Sequence, residues 1–88
     1  MSAGTVTVQV RYFASLREAL GPCETVSLPA GSTLGDLRAA LVARGGRHAE
    51  ALGGGRPVRA ALNLLMCDES AALAEACEVA FFPPVTGG

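Results

Sequence analysis

The last eight residues place the strongest constraint on how this chain folds, because two prolines stop a strand pattern abruptly. Glu78–Phe82 has the β-branched and aromatic residues typical of a strand, and Pro83 and Pro84 follow it directly. Proline lacks the N–H that a sheet ladder needs, holds φ at about −65°, and keeps the preceding residue extended. We therefore expect a strand with a stiff, straight exit, which leads to Val85, Thr86, Gly87 and Gly88.

The final Gly87-Gly88 dipeptide suits a specific chemistry. Glycine has no Cβ, so such a terminus fits a narrow channel and adopts the backbone angles that the channel requires. A terminal carboxylate can attack the α-phosphate of ATP, and the resulting acyl-adenylate is open to sulfide or a thiol. A frayed terminus is the alternative, and Gly45-Gly46 and Gly53–Gly55 show that runs of glycine are common here. After Phe-Phe-Pro-Pro-Val-Thr, a carrier whose partners supply the catalytic groups is favoured.

Length and composition favour one small domain. The chain has 88 residues, 50% of them hydrophobic and 5% aromatic, so its core is built mainly from Ala, Val and Leu. No apolar run approaches the roughly 20 residues that span a bilayer. Met1–Gly4 carries no basic residue, so we expect no signal peptide and no membrane partner. Three cysteines without C-x-x-C spacing fit a reducing cytosol and predict a cytoplasmic protein.

Charge is distributed unevenly along the chain. The net charge is −1, which provides no electrostatic footprint for nucleic acid. Residues 1–61 hold all seven arginines, whereas residues 62–88 hold four acids and no base. This acidic part would steer the chain toward a basic pocket on a partner, or it is a solvated acidic turn. The sequence contains no lysine, so no side-chain amine can accept an isopeptide bond.

Hydrophobic periodicity predicts strands and helices in alternation. Thr5–Phe13 places apolar residues at every second position, which is typical of a half-buried strand. Further elements follow in chain order: a short helix at Ala14–Leu20, a strand at Cys23–Leu28, a helix from Thr33 to about Arg44, sheet between Val58 and Met66, and a strand at Glu78–Phe82.

The long helix has the clearest signals. Thr33 and Asp36 fit a capping box, and Gly45-Gly46 ends the helix. Arg38 and Arg44 are expected to point away from its apolar stripe. That stripe consists of Leu34, Leu37 and Leu41.

The apolar stretch Val58–Met66 predicts two strands with a tight turn near Asn63, since asparagine tolerates turn geometry. Leu64–Met66 then forms either core or an exposed apolar patch for a partner, and we favour core.

Several reactive residue types carry no site signal. His48 is the only histidine and has no second ligand near it, so we expect a surface histidine and no metal site. The segment His48–Leu52 is compatible with one helical turn. Gly53–Gly55 is not followed by Lys-Ser/Thr and is interpreted as a plain loop. The three cysteines are interpreted as small, semi-buried hydrophobic residues; they are Cys23, Cys67 and Cys77.

The segment Glu78–Gly88 resembles the tail of the small, sulfur-carrying subunit of molybdopterin synthase (the MoaD family). The resemblance covers the whole chain in length and element order and is weaker around Ala60–Asn63. This chain departs from the family at Leu64–Met66, where polar residues are usual, and at Ala76-Cys77, where Gly-Asp is common.

The resemblance implies an α+β, ubiquitin-like β-grasp fold. Its mixed sheet would have helices on one face and the last strand parallel to the first in the middle. Residues 1–82 would form the domain and residues 83–88 a flexible tail, mobile beyond Pro84 in the free protein.

The resemblance also implies a function. A ubiquitin-activating-enzyme-like adenylyltransferase would use ATP to adenylate Gly88, and a sulfur-donor protein would convert it to a thiocarboxylate. The large synthase subunit, in a heterotetramer, would receive the tail and pass the sulfur to cyclic pyranopterin monophosphate. The chain would not be catalytic alone and would bind no cofactor stably. The two phenylalanines would divide between core and partner contact. The expected partner-binding residues are Phe81, Phe82, Pro83, Pro84, Val85, Thr86 and Gly87.

Three other functions stay open: a thiocarboxylate carrier for thiamine or cysteine synthesis, a ubiquitin-like modifier of lysines on other proteins, and a plain interaction module. Deleting Gly88 would abolish function in all but the last.

Overall fold

A computed structural model of the chain describes residues 4–53 and 58–83. Eight elements follow one another within these ranges. In chain order they are β1 (Thr5–Tyr12), α1 (Ala14–Leu20), β2 (Cys23–Pro29), α2 (Leu34–Val42), α3 (Gly46–Leu52), β3 (Arg59–Leu62), β4 (Leu65–Cys67) and β5 (Glu78–Phe82).

The five strands form one mixed sheet in the order β2-β1-β5-β3-β4. β1 and β5 are parallel, with Tyr12 opposite Phe81, and every other pair of neighbours is antiparallel. β5, the last strand in sequence, therefore lies at the centre, beside the first. This topology is the β-grasp arrangement, and the predicted α+β fold with a central last strand is confirmed.

The core lies between one face of the sheet and the helices. The predicted alternation in β1 is confirmed, since Val8, Val10 and Tyr12 are buried and the residues between them face outward. β5 alternates in the same way, with Val79 and Phe81 inward. The helices contribute five further large core residues, which are Leu16, Leu34, Leu37, Leu41 and Leu52.

The predicted capping box begins α2. The Thr33 N–H donates to Asp36 Oδ2 at 2.9 Å, and the Asp36 N–H donates to Thr33 Oγ1 at 3.2 Å. The helix ends at Val42, before the predicted Arg44. Gly45 has a left-handed φ of 74°, which allows the chain to turn sharply into α3. α3 is longer than the single turn expected at His48–Leu52.

Arg38 is more than a residue on the polar side of α2. Its Nε donates to the Leu52 carbonyl at 2.7 Å and its Nη1 to Glu69 Oε2 at 2.8 Å, and its side chain is 19% exposed. Arg38 thus connects the end of α3 and the loop after β4 to α2.

No helix in the described ranges is long and apolar enough to cross a bilayer.

The hairpin predicted around Asn63 is confirmed. Asn63 and Leu64 join β3 to β4 with left-handed φ values of 48° and 72°, the pattern of a type I′ turn. The prediction that Leu64–Met66 belongs to the core is wrong: Leu64 is 86% exposed, Leu65 73% and Met66 56%. β4 lies at the edge of the sheet, and of its residues only Cys67 packs against the core.

Of the three free cysteines, Cys77 is buried and Cys67 is half-buried, as expected. Cys23 is exposed, so its interpretation as a semi-buried residue is wrong. The reason is its place on the solvent-facing side of β2, opposite Arg11 of β1.

Candidate functional site at the end of the central strand

The predicted site begins on β5, which is held on both sides. Val79 and Phe81 are buried at 0% and 1% exposure, and β1 and β3 pair with the strand along its length. The rings of Phe81 and Tyr12 stack with centroids 6.2 Å apart and planes 18° apart. The residues that lead out of the domain are therefore fixed by two ladders and by the core.

Phe81 and Phe82 divide between the two faces of the sheet, as expected for strand neighbours. Phe81 is in the core, which argues against its place among the partner-binding residues. Phe82 lies on the opposite face, is half-buried, and pairs in register with the exposed Arg59. Pro83 is half-buried as well. Partner contact at Phe82 and Pro83 stays a prediction.

Phe13 is an exposed aromatic residue that sequence reasoning did not assign to the site. Its N–H donates to the Phe81 carbonyl at 3.1 Å, and its side chain is 42% exposed. Ala14 then takes a left-handed φ of 54° and turns the chain into α1. That conformation costs an L-residue about 1–2 kcal/mol. The sequence did contain a signal for an exposed aromatic residue, because Phe13 falls on the polar side of the β1 alternation.

Behind the site, Glu24 joins three elements. Its carboxylate accepts a hydrogen bond from Tyr12 Oη at 2.7 Å and from Arg44 Nη1 at 2.5 Å, and His48 Nε2 lies 2.9 Å away. Burial raises the pKa of Glu24, but the hydrogen bonds from His48, Tyr12 and Arg44 and the Arg44 charge outweigh burial and lower it to about 2. Burial and the hydrogen bond to Glu24 raise the pKa of Tyr12.

His48 is therefore not the plain surface histidine that was expected. Its side chain is 22% exposed, and its ring meets Tyr12 edge-on at 6.5 Å. Within the described residues, no three His, Cys, Asp or Glu side chains gather in a geometry that could hold a metal ion. The cluster ties β2 and α3 to Tyr12, and through Tyr12 to Phe81.

The acidic residues of the C-terminal part have partners within the domain. Glu78 lies 2.8 Å from Arg11, and Glu69 lies 2.8 Å from Arg38. Glu75 accepts a hydrogen bond from the Thr7 N–H at 2.9 Å. Steering of the chain to a basic pocket stays a prediction.

Pro84, Val85, Thr86, Gly87 and Gly88 lie outside the described residues, and so does the predicted mobility beyond Pro84. The assignments of Gly88 as the modified residue and of Pro84–Gly87 as partner contacts stay predictions.

The sequence has clear relatives. The Escherichia coli (strain K12) molybdopterin synthase sulfur carrier subunit is 38% identical over 81 residues, which cover 92% of this chain and 99% of that protein. The resemblance to the small-subunit family of molybdopterin synthase is confirmed.

Solved structures agree. The small archaeal modifier protein 1 (SAMP1) from Haloferax volcanii matches with a TM-score of 0.79 at 27% identity, over 93% of this chain and 99% of that chain. A chain in the protein–protein complex of subunits 1 and 2 of the molybdopterin-converting factor from Helicobacter pylori 26695 matches with a TM-score of 0.63 at 30% identity, over 94% of this chain and 100% of that chain. The ThiS family matches residues 10–88. This chain belongs to the ThiS family.

Proposed function

We propose that this protein is the sulfur carrier of molybdopterin synthase and that Gly88 carries the sulfur. The observation that carries the proposal is the position of β5: the central strand of the sheet ends at Phe82, so that residues 83–88 follow from its most constrained part. The 38% identity to the E. coli sulfur carrier subunit supports it.

The chemistry takes place on the terminal carboxyl group. A carboxylate oxygen of Gly88 attacks the α-phosphate of ATP, which gives the acyl-adenylate and releases pyrophosphate. Sulfur at the hydrosulfide level, supplied by a donor protein, then attacks the acyl carbonyl and displaces AMP, which leaves a thiocarboxylate without a change of oxidation state. An activating adenylyltransferase supplies the groups for both steps. In the synthase, the thiocarboxylate sulfur attacks a carbon of cyclic pyranopterin monophosphate and displaces an oxygen substituent. Water then hydrolyses the acyl–sulfur bond, which restores the Gly88 carboxylate and leaves the sulfur on the product.

The large subunit docks where β5 ends. Phe82 and Phe13 present aromatic surface at this end of the sheet, and Arg59 lies beside Phe82 in the register. Aromatic residues and arginine are enriched in the energetically important parts of protein interfaces. The H. pylori structure contains subunits 1 and 2 together, which supports a large-subunit partner here. Two carriers per assembly give a heterotetramer.

A protein modifier is the second candidate. The structural match to the archaeal modifier protein, with a TM-score of 0.79, is higher than the 0.63 of the chain from the converting-factor complex. Both functions use an activated terminal glycine, and they differ in the acceptor: a small-molecule precursor or a lysine amine of another protein. A carrier for thiamine or cysteine synthesis has the same activation and a third acceptor.

Intact mass spectrometry tests the activation. The chain is incubated with ATP, the adenylyltransferase and a sulfide source, and we expect a mass gain equal to sulfur minus oxygen. A variant without Gly88 should show no gain. Cys23→Ser is the matched control, because a persulfide on this exposed cysteine would add a whole sulfur atom instead. An unchanged mass, with the same enzyme active on another carrier, would contradict the proposal.

The acceptor is tested second. The thiocarboxylated chain is mixed with the large subunit and cyclic pyranopterin monophosphate, and we expect a dithiolene product and loss of the mass gain. Conjugates of the chain with lysines of other proteins, without a dithiolene product, would favour the modifier.

A further inference from the structure

The free edge of β4 has backbone groups that can pair with another strand. Asn63 donates its N–H to the Glu78 carbonyl at 2.8 Å, so Asn63, Ala61 and Arg59 direct their backbone groups toward β5. The alternate residues Leu62 and Ala60 pair with Leu65 and Cys67 of β4. The N–H and carbonyl of Met66, between these two, therefore point away from the sheet.

Apolar side chains line this free edge. Leu64, Leu65 and Met66 are all more than half exposed, and no charged residue or proline interrupts Leu64–Cys67. Natural sheets usually protect their edges with lysine, proline or inward-pointing charges. The other edge strand, β2, is protected in this way: it carries the inward-pointing charge of Glu24 and ends at Pro29.

The hairpin is held rigidly in this arrangement. Besides its N–H bond, Asn63 accepts a hydrogen bond from the Glu78 N–H through Oδ1 at 2.9 Å, so the turn is bonded twice to the central strand. Leu64 keeps a left-handed φ of 72°, which is unfavourable for a leucine and directs its side chain into solvent. A strained residue at an exposed tip suggests use in recognition.

We propose that β4 pairs with β4 of a second copy of this chain. The two strands run antiparallel about a two-fold axis at Met66, and each Met66 exchanges two backbone hydrogen bonds with Met66 of the other copy. Leu65 then lies opposite Cys67 of the second copy, and Leu64 lies near its Asp68. The five-stranded sheets join into one sheet of ten strands, and Leu65 and Met66 are covered by apolar atoms.

A second copy fits this edge because the strand is self-complementary. In the two-fold register every apolar residue of Leu65–Cys67 faces an apolar residue, and no two charges of equal sign are opposed. The paired strand is three residues long, so the area that it buries is well below the roughly 1,200 Å² of a stable interface. The dimer is therefore weak, and its population depends on concentration. β3 and β4 lie between β5 and the paired edge, and two strand spacings amount to about 10 Å. The second copy therefore adds to the sheet beside β4 and leaves the end of β5 at Phe82 uncovered.

Disulfide trapping tests the register. Leu65 and Cys67 of the second copy form a non-hydrogen-bonded antiparallel pair, whose Cα separation of about 4.5 Å allows a disulfide. In a Cys23→Ser background, Leu65→Cys should give covalent dimers on mild oxidation, and adding Cys67→Ser should reduce them at least tenfold. Thr25→Cys on the free edge of β2 is the control and should give no dimers. Equal dimer yields at both edges would overturn the proposal.

Analytical ultracentrifugation tests the association itself. The wild-type chain should pass from monomer to dimer over the micromolar to millimolar range. Met66→Lys should stay monomeric, and Thr25→Lys, the same change at the other edge, should dimerise as the wild type does. Circular dichroism verifies that both variants are folded.

A wild-type chain that stays monomeric at millimolar concentration overturns the proposal. Trapping of Leu65→Cys on another protein, with no trapped dimer of the chain alone, also overturns it and assigns the edge to that partner. Both experiments use the chain without ATP or sulfide, so their results are independent of the proposed sulfur chemistry.

Discussion

Tyr12 and Phe81 stack at the centre of the sheet, one on the first strand and one on the last, with ring centroids 6.2 Å apart. Tyr12 is also bonded to Glu24, which lies near His48 of α3. This pair therefore connects the helical layer to the strand that leads into residues 83–88. Both residues are 1% exposed, so their packing contributes to stability and not to recognition.

Phe81→Ala should destabilise the domain strongly. Removing a fully buried phenylalanine from a core costs about 3–5 kcal/mol of unfolding free energy. Urea denaturation followed by circular dichroism measures it. Phe82→Ala, its neighbour on the opposite face, is the control and should cost less than half as much. Similar losses for the two variants would contradict the division of the pair between core and surface.

Phe82→Ala and Phe13→Ser should weaken binding of the large subunit. Truncating an interface aromatic residue commonly costs about 2 kcal/mol or more of binding free energy, which is about a 30-fold rise in Kd. Isothermal titration calorimetry with the purified large subunit measures it. Arg47→Met is a suitable control, because the exposed Arg47 lies on α3. Unchanged affinity in both aromatic variants would place the docking surface elsewhere.

Glu24 should make stability depend on pH in the acid range. Its pKa is about 2 in the folded chain against an ordinary value of 4.5, so ionised Glu24 favours the folded state. Its contribution is complete above pH 4.5 and is lost as pH falls from 4.5 toward 2. Thermal unfolding at several pH values should show this loss in the wild type.

Glu24→Gln should be less stable than the wild type at pH 7 by about 1–3 kcal/mol, since hydrogen bonds to a charged group are lost. The gap between variant and wild type should narrow as pH falls below 4.5. A gap that stays constant down to pH 2 would show that the charge of Glu24 is not responsible.

Leu64→Gly should relieve the left-handed backbone at the hairpin tip. Glycine adopts φ values near 72° freely, whereas this conformation costs leucine about 1–2 kcal/mol. The greater conformational freedom of glycine in the unfolded chain partly offsets the stability gained by the substitution. We expect a gain of up to about 1 kcal/mol in urea unfolding. Leu65→Gly, one residue later and within β4, should lower stability instead. A loss in both variants would indicate that Leu64 makes a stabilising contact.

Arg38→Met should release α3. The variant keeps an apolar side chain but loses the hydrogen bonds to the Leu52 carbonyl and to Glu69. This loss should lower the free energy of unfolding by about 1–3 kcal/mol. Hydrogen exchange should become faster in Gly46–Leu52 and change little in β1. Uniformly faster exchange would show a global loss of stability, without a specific role for Arg38 at α3.

Local patterns predicted most of the fold. The alternation in β1 and the Thr33–Asp36 capping box depend on neighbours in sequence, and both were placed correctly. Three features depended on distant residues and were missed. Leu64–Met66 is apolar enough for a core, and only the position of β4 at the sheet edge exposes it. His48 is partly buried because Glu24, 24 residues earlier, comes within 2.9 Å. Phe13 lies beside the site because its N–H donates a hydrogen bond to the Phe81 carbonyl.

The place of β5 between β1 and β3 also determines when the domain can fold during its synthesis. A ribosome releases β5 after β1 and β3, and until then these two strands have no strand to join them. Contacts between the first and last strands span most of the sequence and form slowly, because a long loop must close first. A product that stops before Glu78 lacks the centre of its sheet and stays exposed to proteases. Synthesis thus couples folding of the domain to completion of the strand that leads to Gly88.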